Sequence, residues 1–146
     1  MMRQAGGFTL LELLVVMAII AIASAGVSFA LRDSSQTRLE REAQRLSALL
    51  ESARARSRTT GLTVRWRVTP EGFSFDGLPP DSLPGRWLDA DTRAAGDHAL
   101  TLGPEPIIGA QSVELSSASD AQRRLRVATD GVRPFSVQPV TATELP

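Results

Sequence analysis

The sequence predicts an α+β fold in which a long N-terminal helix packs, over its second half, on an antiparallel β-sheet domain. Three observations lead there. The stretch from Phe8 to Leu31 holds one ionisable side chain, Glu12, among 24 residues dominated by Leu, Val, Ile and Ala. Leu39, Ala43, Leu46, Leu50 and Ala53 then recur at spacings of four and three, the period of a helix with one apolar face. Past Gly61 the period drops to two, the signature of half-buried strands.

The apolar segment comes first. As a helix it would extend roughly 36 Å at about 1.5 Å per residue, enough to cross a hydrocarbon layer of about 30 Å. Residues 1–7 precede it as a short leader carrying Arg3, and the tendency of cations to stay cytoplasmic puts that leader inside and residues 32–146 outside. Glu12 is costly among apolar residues in lipid, which points to a partner, unless the span begins at Leu13 and leaves the carboxylate among headgroups. A secretory signal peptide also fits this terminus, with an apolar core from Leu13 to Ile22 and Ala23-Ser24-Ala25 before Gly26. That reading yields a soluble periplasmic domain released at Ala25.

Residues 32–59 continue as an amphipathic helix whose apolar stripe faces a core, and Asp33-Ser34-Ser35-Gln36 marks emergence from the bilayer or a joint. Arg54, Arg56 and Arg58 cluster near its C-terminus. Cations there complement the helix dipole, and they also form a candidate partner-contact face. From Gly61, Leu62, Val64, Trp66 and Val68 alternate with polar residues, and Pro70-Glu71-Gly72 turns the chain into a return strand with Phe73 and Phe75. Residues 77–98 lose all periodicity and carry Pro79, Pro80 and Pro84, which predicts a long exposed loop within the domain at 60–146. Leu83, Trp87 and Leu88 would either dock this loop or meet a partner. Short strands follow near Ala99–Leu102, Ser112–Ser116, Arg124–Ala128 and Phe135–Gln138, with Asp130-Gly131 suited to a tight turn between the last two.

Composition narrows the chemistry. The 146 residues include no Cys, Lys, Asn or Tyr, all 16 basic residues are Arg, and they balance 16 acidic ones. Thiol catalysis, structural zinc and lysine Schiff bases are thereby excluded, and neutral charge argues against nucleic acid as a partner. His98 beside Asp97 is the one His–carboxylate pair within local reach, and it reads as solvated loop. Asp76, Asp81, Asp89, Asp91 and Asp97 lack the ligand spacing of a calcium loop, so no metal or other cofactor is expected.

The run Gly6-Gly7-Phe8-Thr9-Leu10-Leu11-Glu12-Leu13-Leu14-Val15-Val16 resembles the class III leader junction of type IV pilins and type II secretion pseudopilins. The resemblance implies a pilin-like fold, cleavage between Gly7 and Phe8 by prepilin peptidase, N-methylation of Phe8, and a filament role for Glu12 opposite the amino terminus of a neighbour. Glu42-Ala43-Gln44-Arg45-Leu46 and the hairpin Leu125–Val137 are similar to the minor pseudopilin H family of type II secretion. That likeness implies a non-enzymatic subunit at or near the tip of a periplasmic pseudopilus. Its implied partners are minor pseudopilins I, J and K, major pseudopilin G, the inner-membrane assembly platform and secreted substrates. A minor pilin of a type IV pilus, serving assembly initiation or DNA uptake, shares the leader. Residues 59–146 hold 8 Arg against 11 acidic residues, which lacks the focused positive charge of a DNA-uptake pilin.

Overall fold

The computed structural model describes residues 9–95 and 99–140, and of residues 28–35 it describes the helical backbone alone. Two compact units divide between Ser34 and Ser35. Helix α1 (Leu10–Thr60) contributes to both. Its first unit is the apolar stretch, with Leu10–Val27 long and apolar enough to cross a membrane at a mean hydropathy of 2.5.

The second unit holds the rest of α1 and seven strands. α1 ends where Gly61 takes a φ of 71° and its N–H donates to the Ser57 carbonyl at 2.9 Å, a left-handed stop that a side chain would disfavour. Strands β1 (Arg65–Thr69), β2 (Gly72–Asp76) and β4 (Leu100–Thr101) form one antiparallel sheet in the order β2-β1-β4. Strands β3 (Thr92–Ala95), β5 (Gln111–Ser117), β6 (Asp120–Thr129) and β7 (Ser136–Pro139) form the other, in the order β3-β5-β6-β7. The chain therefore leaves the first sheet after β2, supplies an edge strand to the second, and returns for β4.

Pairing follows the period-two pattern. Trp66 lies opposite Phe75 and Val68 opposite Phe73 in the first sheet. In the second, Leu115 faces Leu125, and Val127 sits between Val113 and Val137. These inward residues meet the helix stripe of Leu39, Ala43, Leu46, Leu50 and Ala53 in one core that also takes in Leu100, Leu102 and Phe135. Leu46 and Leu50 are fully buried, and each such leucine stabilises the fold by about 1.5–3 kcal/mol.

Two expectations change. Leu62 belongs to no strand and stays 57% exposed, because the Ser57 hydroxyl holds its carbonyl at 2.5 Å in the helix-to-strand connection. The segment 77–98 is not a structureless loop: residues 92–95 form β3, and Trp87 packs on Phe73 at a tilt of 57° with ring centroids 4.6 Å apart. Thr-Arg-Ala-Ala buries one threonine and half-buries one alanine, so its alternation carried no apolar signal. Asp97 and His98 lie outside the described residues.

Candidate functional site

At the head of α1 the Thr9 hydroxyl accepts the N–H of Glu12 at 3.2 Å. This is an N-cap, and Thr9-x-x-Glu12 has the spacing of a capping box. The carboxylate of Glu12 stands exposed in the first turn, at the positive end of the helix dipole. Gly7 and Phe8, the expected cleavage and methylation positions, lie outside the described residues. The Thr-x-x-Glu signal was present in the sequence and is a local reason for the helix to start at Leu10.

The second half of α1 grips the β-domain through polar side chains that flank its apolar stripe. Glu42 is buried at 2% exposure, and its Oε2 accepts the N–H of Leu88 at 3.1 Å. Arg45 Nη1 donates to the Arg86 carbonyl at 3.0 Å and lies 3.6 Å from Glu42 Oε1. Burial pushes the Glu42 carboxyl up from its ordinary value, against the Leu88 N–H and the Arg45 charge, which pull it down; nearby Asp89 adds to the rise. One turn earlier, Arg38 Nη1 lies 3.7 Å from Asp89 Oδ2. Residues 86–89 are thus fastened to the helix while Trp87 docks on the first sheet.

A second set of contacts holds the β6–β7 connection. Ser47 donates to the Phe135 carbonyl at 2.6 Å, and Phe135 N–H donates to Glu51 Oε1 at 3.0 Å. Arg54 Nη2 donates to the carbonyls of Gly131 at 2.9 Å and Pro106 at 3.1 Å, with Glu51 Oε1 3.7 Å from its Nη1. Within the turn, Asp130 Oδ1 accepts the N–H groups of Arg133 and Val132, which hold its carboxyl below the usual range. The Glu-Ala-x-Arg-Leu run and the Asp-Gly hairpin therefore have local causes: the first ties down residues 86–88, and the second is shaped to meet Ser47, Glu51 and Arg54. Glu42, Ser47 and Glu51 were not singled out from sequence. No local signal marks them, since Glu40 and Gln44 also flank stripe positions and are exposed.

Of the proposed partner-contact residues, Arg54 is corrected. It is 3% exposed, and its guanidinium is spent on carbonyls of its own domain. Arg56 is exposed but donates to the Ser82 carbonyl at 2.9 Å, bracing the loop. Arg58 is exposed in the last helical turn. Trp87 takes the docking role, half-buried on Phe73. The acidic loop residues do not converge: Asp76 binds Arg67 at 2.6 Å, Asp89 faces Arg38, and Asp81 and Asp91 are exposed. Among the described residues, no three His, Cys, Asp or Glu side chains come together as a metal site.

Residues 2–28 match the prokaryotic N-terminal methylation motif. The chain is 29% identical to type II secretion system protein H of Escherichia coli (strain K12) over 141 residues, covering 93% of this chain and 81% of that protein. No solved structure matches. The chain thus carries the methylation motif, an apolar helix that fits a single-pass anchor, and a likeness to type II secretion protein H that runs through helix and β-domain alike.

Proposed function

We propose that the chain is a minor pseudopilin of a type II secretion system, a structural subunit at or near the pseudopilus tip that helps export folded proteins across the outer membrane. The observation that carries this reading is the methylation motif at residues 2–28 joined to a similarity with protein H that continues through 93% of the chain. In this role the subunit first sits in the inner membrane with residues 1–7 cytoplasmic and the β-domain periplasmic. Prepilin peptidase cuts between Gly7 and Phe8 and methylates the new amino group. The apolar helix then leaves the lipid for a filament of like helices, where Glu12 pairs with the amino terminus of a neighbouring Phe8. That pairing offsets the burial of both charges and favours one axial register.

The working partners are minor pseudopilins I, J and K, major pseudopilin G and the inner-membrane assembly platform. The chain's own work is binding, without a catalytic step: helix on helix along the filament, and β-domain on its neighbours or on cargo. The experiment is twofold. The mature protein from host membranes should start at N-methylated Phe8 by mass, and deletion of the gene should stop exoprotein release while leaving DNA uptake intact. Loss of uptake with secretion unchanged would assign the chain to a type IV pilus. A soluble product beginning at Gly26 would remove the filament mechanism.

A further inference from the structure

Leu88 is 74% exposed although the backbone on both sides of it is fastened down. Its N–H is held by Glu42, Arg45 binds the Arg86 carbonyl, and Trp87 packs on Phe73. Alternation along this run turns Trp87 and Asp89 inward and leaves Arg86, Leu88 and Ala90 exposed. Beside the leucine lies a shallow cavity of about 320 Å³, which Arg38, Arg41, Asp89 and Ala90 also line. Of the two carboxylates there, Asp89 is paired with Arg38 at 3.7 Å and Glu42 is 2% exposed. Arg41 and Arg86 are exposed, and neither guanidinium has a partner among the described residues. An exposed leucine therefore stands with two uncompensated cations.

These residues follow closely on the apolar stretch that ends at Leu31. Arg38 comes seven residues later and Arg41 ten, about 10 and 15 Å of helix at roughly 1.5 Å per residue. Side chains lean towards the N-terminus of their helix, which brings both guanidinium groups back towards the headgroup layer. The stretch from Phe8 to Leu31 exceeds a hydrocarbon layer of about 30 Å by roughly 6 Å, and such a surplus is taken up by tilt. A tilted helix leans one flank towards the lipid, and interfacial anchors decide which. The opposite flank exposes Gln36, Glu40 and Gln44, and its arginines are engaged, Arg123 with Asp120 and Arg124 with Glu114. It offers lipid an unpaired carboxylate, whereas the Leu88 flank offers cations and an apolar side chain.

We infer that the face carrying Arg41, Arg86 and Leu88 rests on the outer surface of the membrane that α1 spans, with the arginines on lipid phosphates and Leu88 at the headgroup–acyl boundary. The inference rests on the pseudopilin reading above, in which the subunit stands in the inner membrane before it joins the filament. Chain length brings this one surface to the face in every unassembled subunit. Cations flanking an exposed apolar side chain are also what an anionic lipid interface binds. The contact holds the β-domain in one orientation until assembly lifts it away. It weakens with salt, because exposed charges are largely screened beyond about 10 Å at 0.1 M ionic strength.

Because the full-length chain has no cysteine, it accepts a single fluorophore at Ala90→Cys beside Leu88, or at Gln122→Cys on the opposite flank. The two labels stand at a like chain distance from the membrane, since Asp89 meets Arg38 and Arg123 meets Gln36. The chain is reconstituted in phosphatidylcholine vesicles that contain phosphatidylglycerol and a lipid spin-labelled at its headgroup. The Ala90→Cys label should be quenched at least about threefold more than the Gln122→Cys label. Adding about 0.5 M NaCl, or omitting phosphatidylglycerol, should remove most of that excess. Arg41→Glu/Arg86→Glu should abolish it. The milder Arg41→Gln/Arg86→Gln variant guards against misfolding and should give an intermediate loss, as should Leu88→Ser.

Equal quenching at the two positions, or an excess that survives both arginine variants, would overturn the membrane contact while leaving the pseudopilin reading standing. An excess that appears only when other pseudopilins of the same secretion system are added would give the face to a protein, and would also overturn it. Failure of the full-length chain to float with the vesicles would remove the anchor and overturn both readings.

Discussion

Arg54 Nη2 donates to the carbonyl of Gly131 at 2.9 Å, joining the last turns of α1 to the β6–β7 connection across 77 residues of sequence. The same nitrogen reaches the Pro106 carbonyl at 3.1 Å, so one buried guanidinium holds two loops side by side. Truncation to Arg54→Met would take the guanidinium donor from both carbonyls and the positive charge from beside Glu51, leaving the Gly131 carbonyl only the longer bond from the Ile108 N–H and Glu51 only the Phe135 N–H. The expected loss is about 3 kcal/mol, the usual scale for breaking a buried charged network. Arg54→Lys should recover less than half, because an ammonium lacks the planar fork that serves two acceptors at once. Thermal unfolding of the full chain in detergent, followed by the β-sheet circular dichroism signal, measures both.

Gly131 is the other side of that contact. Its φ is 94°, and a Cβ at this position would stand 1.9 Å from the Ile108 carbonyl oxygen. Gly131→Ala should therefore destabilise by more than the roughly 1 kcal/mol of backbone strain alone, with the β6–β7 connection the first region to gain hydrogen exchange. An alanine variant as stable as wild type, with unchanged exchange, would contradict the packing of these two loops.

Periodicity made α1, β1, β2 and the β5–β6–β7 meander readable, since Leu46, Leu50, Trp66, Val113 and Val127 sit at inward positions that large apolar residues mark plainly. β3 was not readable, because Thr92 and Ala94 bury too little apolar surface to show alternation. The polar grip of the helix escaped for a different reason. Glu42 and Arg54 are charged residues in a charged helix, and nothing local separates a solvated one from one that meets a loop 46 or 77 residues away. The N-terminal motif is legible because it is contiguous: its glycines, Thr9 and Glu12 lie within one short run.

Trp87 anchors the segment between the two sheets by packing its tilted ring on Phe73, which itself contacts Trp66 and Phe75. For a half-buried indole, Trp87→Ala should cost about 2 kcal/mol, including roughly 1 kcal/mol of aromatic pairing. The loss should be local. Limited proteolysis should cut the variant within residues 77–91 well before the core strands, whereas Trp87→Phe should keep most of the protection. Uniform proteolysis across the domain would show that the segment is no separate unit of stability.

Glu42 gives the domain a pH dependence of unusual sign for a carboxylate. Its carboxyl sits above the ordinary glutamate value because burial opposes its charge more strongly than the Leu88 N–H and Arg45 favour it. A folded-state value raised above the unfolded one means that the folded protein binds this proton more tightly. The resulting stability is fully present below the unfolded value and is lost as pH rises through the folded one. Lowering the pH from 7 towards 4.5 should thus stabilise wild type relative to Glu42→Gln, which keeps an acceptor for Leu88 but cannot titrate. Melting temperatures of the two proteins compared at matched pH isolate Glu42 from the other carboxylates, which both share. A gap between them that stays constant over this range would show that the Leu88 hydrogen bond and Arg45 balance burial at this site, and one that moves in favour of the glutamine variant on acidification would show that they outweigh it.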